Sequence, residues 1–330
     1  LADDIPNKRA LPLDLVRCSP EKDEHACGFL QLRHTTPYDL LYREYSYKSG
    51  VNQSMTDHLE GIVDSVSRMV NLAENEIVLD IGCNDGTLLN FYPDNLHRVG
   101  FEPSLNLAKE TVHQDISVIP NYFNHQEYLA RYSQKAQIVT SIAMFYDLDN
   151  PNAFVESVRN VLDENGVWVI ELSYLPSMLS ANAFDTIVHE HLGYYSFHVM
   201  EYLLSRHNIT ILKAELNDSN GGSFRLYCCH AEAAGTKYQI EPSSLKLGAS
   251  EFELALETDA PYTAFEQRVQ RTKTQTRDFL ETAAREGKRT YVYGASTKGN
   301  TLLQYCGIDD SLVVAAADRN PYKWGKLWKG

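Results

Sequence analysis

Cysteine is scarce in this 330-residue chain: six residues, Cys18, Cys27, Cys83, Cys228, Cys229 and Cys306, fall in no regular spacing. That is too few for a disulfide-stapled scaffold and predicts reduced thiols. Long apolar runs are missing, so no segment is expected to cross a bilayer. The opening "LADDIPNKRALPLD" also lacks the charged-then-apolar pattern of a secretion signal, and the expected address is the cytoplasm. Positive charge is in the minority, with 30 Lys and Arg against 44 Asp and Glu and a formal charge of −14. This balance argues against a general grip on nucleic acid or an anionic membrane, and it leaves room only for a local basic pocket. Internal repeats, low-complexity tracts and a G-x-G-x-x-G fingerprint are absent as well.

What remains is an ordinary globular composition, 43% hydrophobic and 22% charged, in a chain long enough for two core-forming domains. The start at Leu1 and the stop soon after the strand-like "LVVAAAD" are expected to mark a fragment cut at both ends. Three sections separate: an irregular head over 1–50, alternating strand-like and helical patterns over 51–235, and a helical stretch with a second strand–turn–helix over 236–330. The most linker-like segment is "YQIEPSSLKLGAS", residues 238–250.

The strongest local signal is "EIVLDIGCNDGTLLNFY", 76–92. An apolar run ends at Gly82, then Asn84, Asp85 and Gly86 precede a helical pattern, which predicts strand, tight turn and helix. Some twenty residues later "HRVGFEPS" closes a second strand on Glu102, where a carboxylate can accept both hydroxyls of a ribose. Further strands are expected within 136–151 and 165–174, with a helix between them, so a doubly wound sheet runs from 76 to 174. Its ligand crevice would gather Gly82, Glu102, Asn121, Tyr122, Phe123, Ile142, Ala143, Met144 and Glu171 beyond the strands' carboxyl ends. The alternative is a plain turn with an exposed Glu.

"LDIGCNDGTLL" resembles the S-adenosylmethionine motif of class I methyltransferases. Together with "YREYSYKSGVNQSM", "HEHLGYYS", "NDSNGGSFRLY" and "YVYGASTKGNTLLQYCGI", in that order, it is similar to the nucleotide-sugar (TDP-4-keto-deoxyhexose) C-methyltransferases over nearly the whole chain. The resemblance implies an α/β fold: a class I, Rossmann-like core, a zinc-binding head present only in part, and a second, incomplete Rossmann-like domain at the C-terminal end. It implies S-adenosylmethionine held by Asp80, Gly82, Asn84, Asp85, Gly86, Glu102, the 121–123 stretch and the 142–144 stretch. Zinc would be held by Cys18 and Cys27, the second of the family's two cysteine pairs. Two thiolates do not close a tetrahedral zinc site, and two free thiols are the alternative.

Methylating a sugar carbon requires removing a proton alpha to a ketone, hence a base of near-neutral pKa and donors for the enolate oxygen. "HEHLGYYS" supplies such groups, and the resemblance implies His191 as the base with Glu190 beside it. Where the family can carry a Tyr two residues before that Glu, this chain has Val188. A metal site from His189 and His191 lacks the spacing of HExxH, and a pair of structural histidines is a further alternative. Tyr45 and Tyr47, with Tyr42, would bring a phenol to the sugar site or pack the head on the core. The nucleotide-linked keto-deoxysugar would meet His189, Tyr194, Tyr195, Asn220, Ser223, Arg225, Ser296 and Lys298. The expected reaction is methylation at carbon 3 of a 4-keto sugar. The alternatives are an O- or N-methyltransferase and a non-catalytic adenosyl-binding scaffold.

Overall fold

The computed structural model describes residues 11–43, 45, 47–111, 116–319 and 323–325. Leu1 and the last five residues, on which the expectation of a trimmed chain rests, lie outside them. The head contributes β1 (Leu15–Arg17), β2 (Leu30–Leu32) and the short α1 (Asp39–Tyr42), and α2 (Gln53–Ser67) opens the next section. The alternating section gives β3 (Ile77–Ile81), β4 (His97–Phe101), α3 (Leu105–Glu110), β5 (Ile116–Ile119), α4 (His125–Arg131) and β6 (Ala136–Ile142). It continues with α5 (Pro151–Val161), β7 (Leu162–Ser173), α6 (Leu175–Ala181), β8 (Gly193–Tyr194), α7 (Phe197–Ser205), β9 (Ile209–Asn217) and β10 (Ser223–His230). The C-terminal part holds α8 (Pro242–Phe252), α9 (Ala260–Arg285), β11 (Tyr291–Tyr293), α10 (Thr297–Cys306) and β12 (Ala315–Ala317).

Seven strands form the central sheet in the order β5-β4-β3-β6-β7-β10-β9. The first five are parallel, and β10 runs antiparallel to both its neighbours. Every residue of β3 and of β10 is buried; β3 accordingly reads as a nearly unbroken apolar run rather than as an alternation, while β10 buries Ser223, Arg225 and His230 among its apolar residues. Chain order reverses between β3 and β6, so the crevice beyond their carboxyl ends is the topological switch point of an open α/β sheet. That topology is the class I, Rossmann-like arrangement. β1, β2 and β8 make a small separate sheet, which ties the head to the segment around Gly193. β11, α10 and β12 make a single βαβ unit with two parallel strands.

Two local expectations are corrected. Leu88, Leu89 and Phe91 form one 3-10 turn over Leu89–Phe91 instead of a helix. Pro93 disfavours helical backbone at Tyr92, and there is no long helix N-terminus behind the Gly82 turn. The segment expected as a linker contains α8, whose Pro242 sits at the helix start and whose Ser244, Leu247 and Glu251 are buried. Glu251 accepts hydrogen bonds from the Phe197 and His198 backbone amides and so caps α7.

Candidate active site

A cavity of about 870 Å³ opens at the switch point. Its floor is the turn after β3, where Gly82 adopts φ +76. A left-handed backbone at that point favours glycine, and an added Cβ would lie 3.4 Å from Met144 Cγ. Asp80, at the end of the same strand, accepts the Thr140 hydroxyl at 2.6 Å. Burial pushes its carboxyl up to about 7, against the lowering effect of that bond. Glu102, just past β4, is buried. Its two oxygens accept the backbone amides of Asn84 and Ser104, each at 2.8 Å. Each oxygen keeps acceptor capacity for a further donor, as a ribose requires.

The described residues of 38–43, 45 and 47–52 line the cavity as a strap. Ser49 N donates to Asn84 Oδ1 at 3.0 Å, Gly50 N to Asp85 Oδ2 at 2.9 Å, and Asn84 Nδ2 to Tyr47 O at 3.1 Å. Tyr45 is clamped by Asn106 through paired hydrogen bonds, and Ser104 Oγ donates to Tyr42 O at 2.6 Å. The strap thereby sets Tyr38, Tyr42, Tyr45 and Tyr47 on the cavity wall.

Opposite lies the turn of 188–191. His191 Nδ1 is 2.8 Å from Thr186 O, which places the proton on Nδ1 and leaves Nε2 its lone pair. The ring packs 4.4 Å from that of Tyr146 and lines the cavity. Burial lowers its pKa to about 4, so the imidazole is neutral at neutral pH. Glu190 shares the wall, its carboxyl raised by burial. Tyr42 OH donates to Glu190 O at 3.2 Å, joining the strap to this turn.

Of the residues singled out in the sequence, the cavity brings together His191, Glu190, Tyr45, Tyr47, Asp80, Gly82, Asn84, Glu102, Tyr122, Phe123, Ile142, Ala143, Met144, Asn220, Ser296 and Lys298. Others stand elsewhere. Asp85 holds the strap, and Gly86 packs on Thr111. Asn121 bonds Glu127 and its neighbour's amide. His189 Nε2 faces Leu11 O, so the two histidines of the motif diverge and share no metal. Tyr194 and Tyr195 are buried, Tyr195 within the main core. Ser223 bonds Ser219 O. Arg225 is buried against Glu171, which also receives His58 and Asn217. Glu171, expected at the crevice, is therefore fully engaged in that cluster.

Asp147 escaped the sequence reading. It lines the cavity three residues past Met144, and its carboxyl is pushed well above the carboxylate range by burial, with repulsion from Glu190 added. Its place after the carboxyl end of β6 was the available signal. Cys18 and Cys27 are close enough for their side chains to interact, but no cluster of three or more His, Cys, Asp or Glu side chains suited to a metal occurs among the described residues. Two thiols alone do not fit structural zinc.

Two family models match the chain: "Methyltransferase domain" over residues 55–214 and "C-methyltransferase C-terminal domain" over 218–330. The C-methyltransferase NovU of Streptomyces niveus is 28% identical across 99% of this chain and 77% of its own length. Among solved structures, the PH0226 protein of Pyrococcus horikoshii OT3 aligns at 13% identity and TM-score 0.45, covering 60% of this chain and 100% of that one. Magnesium protoporphyrin IX methyltransferase of Synechocystis PCC 6803 with bound SAH aligns at 12% and 0.40, covering 53% and 82%. The family models and the NovU relative make this chain an enzyme, a methyltransferase of the S-adenosylmethionine-dependent C-methyltransferase type. No helix among the described residues is long and apolar enough to cross a membrane.

Proposed function

We propose that the enzyme methylates carbon 3 of a nucleotide-linked 4-keto-deoxysugar, with His191 removing the proton alpha to the ketone. The observation that carries this reading is the His191 ring itself: Nδ1 is tied to Thr186 O, the imidazole is neutral, and the ring opens on the same cavity as Gly82 and Glu102. A neutral imidazole with Nε2 free is the form that accepts a proton. S-adenosylmethionine, when bound, supplies the methyl group on a positively charged sulfur. Asp80, Gly82, Glu102 and Met144 would hold it, and everything else the reaction needs must come from the chain.

Transfer to oxygen or nitrogen would not need a carbon base at this position. The test is solvent-deuterium exchange into keto-sugar nucleotides. The parent enzyme should exchange the alpha hydrogen, and His191→Asn should slow exchange and methylation by about two to four orders of magnitude. Binding of S-adenosylmethionine should be unchanged in the same variant. Parental turnover in His191→Asn would refute the base assignment. If Glu190→Gln, and not His191→Asn, removed the acid limb of the pH profile, the carboxylate would be the base.

A further inference from the structure

Lys298 is in the first turn of α10, and it is the one lysine or arginine among the described residues lining the cavity. The other ionisable side chains of that wall, besides His191, Cys83 and the tyrosines, are the carboxyls of Asp80, Glu102, Asp147, Asp149 and Glu190. Lys298 Nζ donates to Asn220 O at 3.3 Å, across the gap between the βαβ unit and the loop before β10. An ammonium has three donors, so this bond fixes its position without exhausting its capacity. The same charge reaches His191, where it opposes protonation of the ring.

We propose that Lys298 is a catalytic residue whose ammonium stabilises the enolate oxygen formed when His191 takes the alpha proton. This deepens the reading of His191 as the base and rests on it. In the step, the C–H bond pair becomes the C=C bond, the carbonyl π pair moves onto oxygen, and the proton goes to His191 Nε2. Negative charge then appears on oxygen, in a cavity where Lys298 is the one lysine or arginine among the described lining residues. An ionised carboxylate would repel that oxygen, and the Tyr42 hydroxyl is engaged with Glu190 O and the Asp147 carboxyl. Lys298 is the cation within the wall that can meet it. The effect is differential: before proton transfer, Lys298 and an imidazolium would repel, whereas after it the enolate lies with both cations. Lys298 therefore disfavours a protonated His191 in the resting site and favours it only once the anion exists.

The rival role for Lys298 is to hold a phosphate of the nucleotide. Lys298→Met and Lys298→Gln separate the two, since both remove the charge at a half-buried position and Gln keeps a donor for Asn220 O. Alpha-hydrogen exchange at saturating keto-sugar nucleotide should fall by about 10²- to 10³-fold in both variants, with a smaller loss of sugar-nucleotide affinity. Lys298→Arg should restore most of the rate. Titrating His191 by NMR in histidine-labelled protein should show its pKa raised in Lys298→Met, and the acid limb of the exchange profile should move to higher pH with it. A merely structural lysine would not move that limb. Affinity lost with exchange unaltered at saturation would overturn the proposal in favour of a phosphate anchor. An unmoved His191 titration would overturn it too. Absence of exchange in the parent would instead overturn the enolate reading itself, and Lys298's role with it.

Discussion

Glu102 Oε2 accepts the backbone amide of Asn84 at 2.8 Å, so the acidic residue beyond β4 is locked to the turn beyond β3. Oε1 is held in the same way by Ser104 N at 2.8 Å. Either oxygen, replaced by an NH₂ group, would face a backbone N–H with no acceptor between them. Glu102→Gln is therefore not conservative. Its affinity for S-adenosylmethionine should fall by about 10- to 100-fold, roughly 1.4–2.7 kcal/mol, by calorimetry. Unchanged affinity would mean that the ribose does not meet this carboxylate.

Asp80 gives a proton-linked signature. Burial holds its carboxyl at about 7, so near pH 7 a substantial fraction carries a proton. A cation bound beside it favours the ionised form and lowers the pKa, releasing that proton. Calorimetry of S-adenosylmethionine binding in buffers of different ionisation enthalpy should show release of up to about half a proton at pH 7 and almost none at pH 9. Asp80→Asn should abolish the release. Equal proton release in parent and variant would assign it to another group.

How much of this was legible beforehand depends on whether the relevant partner is near in sequence. The strand ending at Ile81 showed as an apolar run because all its residues are buried, and Gly82 showed because a sharp turn must follow. Asn84 and Asp85 read equally well as ligand contacts, yet they hold the backbone of Ser49 and Gly50, 35 residues earlier. No local pattern announces that pairing. Asp147 went unread because the groups it interacts with, Tyr42 and Glu190, are distant in sequence. Arg225 was expected to meet the nucleotide-linked sugar, but Glu171 on the neighbouring strand takes it up. Cross-strand register decides such pairs, and register is fixed only when the sheet assembles.

Gly86 tests the turn as a mechanical unit. Its φ is +78, and a Cβ there would lie 2.4 Å from Thr111 Cγ2. Thr111 is itself held, its one hydroxyl hydrogen shared between Asn84 O at 2.9 Å and Leu107 O at 2.8 Å from Oγ1. Gly86→Ala should cost about 2–4 kcal/mol in urea unfolding, combining backbone strain with overpacking. Adding Thr111→Ser removes the clashing methyl and keeps the hydroxyl, so the double variant should recover all but about 1 kcal/mol. No recovery would show that the backbone conformation, and not the contact, dominates.

His191 also ties stability to pH, with a definite sign. Its folded pKa, about 4, is below the ordinary histidine value because burial disfavours the imidazolium, and the nearby Lys298 adds to this. Between pH 6.5 and 4 the unfolded chain therefore binds a proton that the folded chain refuses, and stability falls as the solution is acidified through that window. The neutral ring's contribution is fully present above pH 6.5, and about 2 kcal/mol of it should be lost between pH 7 and pH 5. Urea unfolding of the parent and His191→Asn at both pH values isolates the effect, because other titrating groups contribute to each protein alike. The variant should lose about 2 kcal/mol less than the parent on acidification, whatever its stability at pH 7. Equal losses would mean that His191 protonates in the folded protein as readily as in water, and such a ring would already be cationic near pH 6, where a base needs to be neutral.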